Sequence, residues 1–193
     1  MPRRYSLRQY RTIDLGLLAL ILCIAETLIV TAARSWYPDQ LYTVSLAGAI
    51  TAIVLMRWGP WAAIHAALSG LVFTLVYHGS ARQIVTYSLG NLLSLLMLLP
   101  LRRIGGERIR LSPLLSIGFG LATLLLMQLG RALVALLLGS PLGALPGFVT
   151  SDSLSYLFTG VLIWIARRLD GVFEDQKHYL LRINAPEEEK GGF

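Results

Sequence analysis

The sequence predicts an all-α membrane protein: six transmembrane helices, both termini cytoplasmic, in a compact bundle with an outward-facing pocket. Three observations carry this. Of the 193 residues, 55% are hydrophobic and only 15% charged, against roughly 25% charged in a soluble domain. Mean hydropathy is +0.63. The charges are confined to short stretches separated by gaps near the ~20 residues that cross a bilayer.

Taken in order, Leu15 to Ala33 is interrupted only by Glu26, and the span is read as residues 12–33. Arg3, Arg4, Arg8 and Arg11 precede it, as in a signal peptide. However, the apolar run is too long and Ala32-Ala33-Arg34 is a poor cleavage site, so the helix is retained. From Leu41 to Tyr77 the only full charge is Arg57, which divides spans 42–56 and 60–77. Spans follow at 83–100, which is charge-free, at 112–138, interrupted only by Arg131, and at 148–166, interrupted only by Asp152. The spans make one domain, residues 1–169. Residues 170–193 read as a cytoplasmic tail: a surface helix with Val172, Phe173, Leu180 and Leu181 as its apolar positions, then a flexible acidic end.

Orientation follows from the basic residues. With the N-terminus in the cytoplasm, 14 of the 17 Lys and Arg lie inside, and only Arg34, Arg82 and Arg131 lie in the outer half. The net charge of +6 therefore reflects membrane orientation and not nucleic-acid binding. Trp36 at the outer edge and Trp58, Trp61 and Trp164 toward the inner edge suit interfacial belts.

Polar groups within a bilayer are costly, so their positions carry information. Gln83, Tyr87 and Asn91 recur every four residues on one face of the fourth span. Gln128 and Arg131 sit toward the outer end of the fifth. Asp152, Ser155, Tyr156 and Thr159 form a strip at the start of the sixth, and Glu26 lies past the midpoint of the first. The inner halves are nearly all apolar. A channel would be polar along its whole length, so the pattern points to a pocket closed below. Outer loops add Trp36, Tyr37, Asp39, Gln40, Tyr42, His78 and Arg82. The candidate ligand-binding residues are Glu26, Tyr37, Tyr87, Asn91, Gln128, Arg131, Asp152 and Tyr156. Each also has a structural reading. Glu26 and Arg131 pair, Asn91 and Gln128 bond neighbouring helices, Asp152 caps the sixth helix, and the tyrosines anchor at the interface. Arg131 sits deep enough in its span to require an anion, which is Glu26, Asp152 or the ligand.

Ala62, Ala66 and Gly70 on the third span, and Gly48 and Ala52 on the second, are spaced for close helix packing. If Glu26 points inward, Ala19 and Cys23 share its face, and Leu18, Leu22, Ala25, Ile29 and Ala32 face outward. Enzymatic readings find no support. Ser69 and His65 lie one turn apart on the same helix, unsuited to a nucleophile and base. His-Glu-x-x-His, P-loop and Gly-x-Gly-x-x-Gly motifs are absent, and His65, His78 and His178 are too dispersed to share a metal. No cofactor is expected.

A chain of this length with six helices, cytoplasmic ends and no ATPase motif resembles the S components of energy-coupling factor (ECF) transporters, over residues 12–169. The resemblance implies a high-affinity binder of a vitamin or similar micronutrient in a prokaryotic plasma membrane. It would dock on a shared transmembrane subunit carrying two ATPases and topple to release its cargo. It also implies a pocket built from the later helices, at Tyr87, Asn91, Gln128, Arg131, Asp152 and Tyr156. Members often dock through Ala-x-x-x-Ala on the first helix; this chain has Ala19-Leu-Ile-Leu-Cys23 instead. A structural scaffold similar to the rod-shape protein MreD is the alternative.

Overall fold

The computed structural model describes residues 6–36 and 44–183. The fold is all-helical. Five helical stretches are long and apolar enough to cross a membrane: Leu7–Trp36, Ala47–Val76, Ala81–Ile104, Pro113–Leu137 and Leu142–Ala166. Their outward side chains are apolar, with Leu114 84% and Leu137 78% exposed, while Glu26, Asn91 and Ser155 are fully buried. This inverts the arrangement of a water-soluble domain.

The first stretch is α1, Leu7–Trp36. The second contains α2, Ala47–Trp58, and α3, Ala62–Val76, joined through a 3-10 turn at Gly59–Trp61. Gly59 has φ +58°, a conformation that suits glycine. Contacts along α1 give the course of the chain. Glu26 meets the backbone of Leu46, and Asp14 meets Arg57, so α2 runs antiparallel to α1. His65 then meets Leu15, and Arg34 meets Val76, so α3 runs parallel to α1. The chain thus reverses at Gly59.

The next stretch comprises α4, Ala81–Gly90, a 3-10 segment Asn91–Met97, and α5, Leu98–Ile104. A capping box starts α4: Gln83 N–H donates to Ser80 Oγ, and Ser80 N–H donates to Gln83 Oε1 at 2.7 Å. The short α6, Gly106–Leu111, leads to α7, Pro113–Leu137, with Ser112 capping its first turn and Pro113 at its first position. The chain returns through α8, Leu145–Thr150, and α9, Ser153–Ala166, and the last element among the described residues is α10, Gln176–Ile183.

Helix α7 is central, packing against α2, α4, α9 and the 3-10 segment. It approaches α4 closely at Gly130, where an added Cβ would collide with the Gly90 carbonyl. On α3, a Cβ on Gly70 would lie 2.5 Å from the Tyr87 backbone. Two backbones meet only where side chains are absent. The expected small-residue rows on α2 and α3 are accordingly internal: Ala52, Ala62 and Ala66 are fully buried.

The apolar core, with Leu22, Leu55, Phe119, Ile163 and Phe173, separates two polar ends. At the first end, Arg57 grips Asp14 through Nε at 2.9 Å and Nη2 at 2.6 Å. Its Nη1 donates to the carbonyls of Gly171 and Val172. Trp58 Nε1 also donates to Asp14, so this tryptophan is buried rather than interfacial. Gln176 completes the clamp, donating to Gly171 O at 2.7 Å and accepting from Tyr10 at 3.1 Å.

Two expectations on exposure are corrected here. Leu22 is fully buried, and Leu18 packs on the core, so this row faces inward. Leu22 lies one turn before Glu26 and shares its face. Ile13, Leu17, Leu20, Ile24 and Leu28 face outward instead. The tail is likewise no surface helix over residues 170–183. Phe173 is fully buried, edge-on to Phe119 at 6.3 Å, and α10 begins only at Gln176. The expected acidic end falls beyond the described residues.

Candidate functional site

The second polar end is built around Arg131, which α7 carries past its midpoint and which is 3% exposed. Its Nε donates to Asn91 Oδ1 at 2.7 Å. Its Nη1 donates to Gln128 Oε1 and to Asp152 Oδ2, both at 3.1 Å. Gln128 Nε2 in turn donates to Asp152 Oδ2. Tyr87 covers the guanidinium, with its ring centroid 4.6 Å from Cζ. Five of the expected site residues, from α4, the 3-10 segment, α7 and the start of α9, are therefore in one contact network.

Local structure explains how they meet. Gln128 and Arg131 are three residues apart and share a face of α7. Asn91 is held from behind: its Nδ2 donates to the Ala66 carbonyl and to Ser69 Oγ, both at 3.0 Å. The Gly90–Gly130 approach brings Asn91 within reach of Arg131. The 3-10 segment starts at this residue. Seven residues is long for such a segment, and a tightened stretch within a helix often marks a functional site. Tyr87 stacks on Phe73 at 5.2 Å, Phe73 stacks on Tyr77 at 5.7 Å, and Phe148 of α8 tilts against Tyr87 at 6.4 Å. An aromatic wall thus runs from Arg131 to the rim, where Arg34 lies over Tyr77.

The remaining expected residues fall elsewhere. Glu26 is fully buried but is not the ion-pair partner of Arg131. Its Oε2 accepts the Leu46 N–H at 3.0 Å, just ahead of α2, where the helix dipole favours an anion. It connects to α9 indirectly, through the Ser45 N–H that donates to Ser155 Oγ at 2.9 Å. Asp152 occupies the N-cap position of α9 without a side-chain capping bond, because its carboxylate turns to Arg131 and Gln128. Gln83 belongs to the α4 capping box and leaves the row it shares with Tyr87 and Asn91. Tyr156 lies on α9 with its hydroxyl buried. Tyr37, with Asp39, Gln40 and Tyr42, lies outside the described residues.

Buried polar atoms without partners among the described residues are also found on α2 and α9: Thr51 Oγ1, Thr159 Oγ1 and Tyr156 Oη form no hydrogen bond there. Each such atom costs about 1–3 kcal/mol unless something satisfies it. Thr159 Oγ1 would lie 3.2 Å from a Cβ at Gly48, so glycine leaves space beside it. Among the described residues no three His, Cys, Asp or Glu side chains group to hold a metal ion. Ser69 and His65 are engaged separately: Ser69 Oγ bonds the Ala66 carbonyl and Asn91, and His65 Nε2 lies 3.1 Å from the Leu15 carbonyl.

Sequence reasoning weighed Ser69 only as a nucleophile and did not single out Phe73, although its four-residue spacing from Tyr77 was available. It also missed Asp14. A lone acid near the start of one span, with a lone Arg57 at the end of the next, was a usable signal. Comparison of the chain with protein-family models, with curated proteins and with solved structures gives no match.

Proposed function

We propose that the chain is the membrane-embedded, substrate-binding S component of an ECF-type transporter in a prokaryotic plasma membrane. It captures a vitamin or similar micronutrient from outside. In this reading the chain crosses the bilayer six times with both termini cytoplasmic: α1, α2, α3, the 81–104 stretch, α7 and the α8–α9 stretch. The reversal at Gly59 supports two crossings within residues 47–76. Uptake is driven by a partner transmembrane subunit and two ATPase subunits.

The observation that carries the proposal is the segregation of the interior. Arg131, Asp152, Gln128, Asn91 and Tyr87 form a buried polar site at one end, and an apolar core closes it from the other. A solute entering at that end meets hydrogen-bonding groups of both charge signs beside an aromatic wall, which suits a zwitterionic or heteroaromatic molecule. The unpartnered hydroxyls of Tyr156 and Thr159 are further groups it can satisfy.

The orientation is tested by thiol labelling of intact cells in a Cys23→Ser background. Gly143, where an added side chain meets no atom within 4 Å, and the exposed Arg108 are replaced singly by cysteine. An impermeant reagent is expected to label the cysteine at position 143 and spare that at 108. The opposite pattern overturns the proposal, because the site would then open to the cytoplasm.

A further inference from the structure

A cleft of about 590 Å³ lies at the Asp14 end of the bundle, remote from the Arg131 network. It is bounded by the Gly59 turn, α5, α6 and α10, and its volume falls in the ligand-pocket range of roughly 300–1,000 Å³. One wall is apolar, including Met56, Leu98 and Leu101. The rim is charged.

The charges are not equally available. Glu174 is occupied: Arg110 Nη1 approaches it at 3.0 Å and Arg182 Nη2 at 3.1 Å. Asp175 accepts the N–H groups of Lys177 and His178. Arg102 and Glu107 make no ion pair or side-chain hydrogen bond among the described residues, and both line the cleft. The cleft therefore presents a cation and a carboxylate, both unpaired among the described residues, above an apolar wall.

We infer that the cleft binds a phospholipid whose headgroup carries a phosphodiester and a primary ammonium. Arg102 takes the phosphate oxygens, Glu107 takes the ammonium, and an acyl chain lies along Leu98 and Leu101. Arginine donors suit phosphate, and basic clefts at the ends of membrane helices hold lipid headgroups. The inference rests on the bilayer placement proposed above but not on any solute.

The test is native mass spectrometry of the full chain in detergent, supplied with equal amounts of phosphatidylethanolamine, phosphatidylglycerol and phosphatidylcholine. One phosphatidylethanolamine is expected to persist under collisional activation that strips the other two. In Arg102→Ala/Glu107→Gln, its retention falls about tenfold, the loss expected for charge-assisted bonds. In Arg103→Ala/Arg108→Ala, outside the cleft, retention is unchanged. Equal retention of the three lipids, retention of none, or an unaltered cleft variant overturns the inference. Soluble glycerophosphoethanolamine is expected to give no adduct; binding equal to that of the lipid would show that a free phosphodiester is the ligand and overturn the lipid assignment. Flotation of the protein with vesicles reads the bilayer placement separately. Protein that floats but holds no lipid refutes the cleft site alone.

Discussion

Replacing Arg131 by alanine is expected to destabilise the protein by about 3–5 kcal/mol, the cost of removing one partner from a buried ion pair. Arg131 and Asp152 are each 3% exposed, so the remaining carboxylate has no water to turn to. The change also removes the donors that bond Asn91 and Gln128. Asp152→Ala should cost a similar amount, since the guanidinium then lacks its anion. The double variant Arg131→Gln/Asp152→Asn should lose much less than the sum of the two single changes, because no charge is left unpaired. Arg131→Lys should not restore stability, because one ammonium cannot reproduce the separate Nε and Nη1 bonds. Thermal unfolding in detergent measures all four. Additive losses would contradict the pairing.

Arg57→Ala is expected to cost a comparable amount and to free the C-terminal segment. Asp14 and Arg57 have side-chain exposures of 13% and 10%, and the guanidinium also holds the Gly171 and Val172 carbonyls. Without it Asp14 keeps only the Trp58 N–H, and the turn before Phe173 loses its anchor. Phe173→Ala should act in the same direction, at about 3–5 kcal/mol for a large aromatic removed from a core. Limited proteolysis followed by mass measurement should find cleavage between Leu169 and Gln176 in both variants. A segment as resistant as in the unaltered protein would show that the clamp does not hold it.

Much of this arrangement was legible because charge is expensive in an apolar layer. The gaps between arginines located the long helices to within a few residues, and the polar residues expected to converge did so for Tyr87, Asn91, Gln128, Arg131 and Asp152. What periodicity could not supply was partner choice. Glu26, Asp152 and a ligand were all open as the anion for Arg131, with Glu26 read as its structural partner and Asp152 as a helix cap. The choice depends on the Ser45–Leu46 backbone, which takes Glu26, and on α9 starting at Ser153, which leaves Asp152 free to turn inward. The 3-10 segment was hidden because Asn91 to Met97 has the composition of an ordinary apolar helix. The Gly90–Gly130 approach joins residues forty positions apart, and Phe173 looked like one apolar position of a surface helix until Gly171 and Arg57 were seen to turn it into the core.

The central claim, that the Arg131 end of the bundle holds a small solute, is tested most directly by native mass spectrometry of protein purified gently from its own membranes. The unaltered chain should carry one non-covalent small molecule of defined mass. Asn91→Leu, which removes a polar group of the network without leaving a buried charge unpaired by Asp152, should lose that molecule while remaining folded. Protein that carries no small molecule, or an Asn91→Leu variant that retains it in full, would contradict the account.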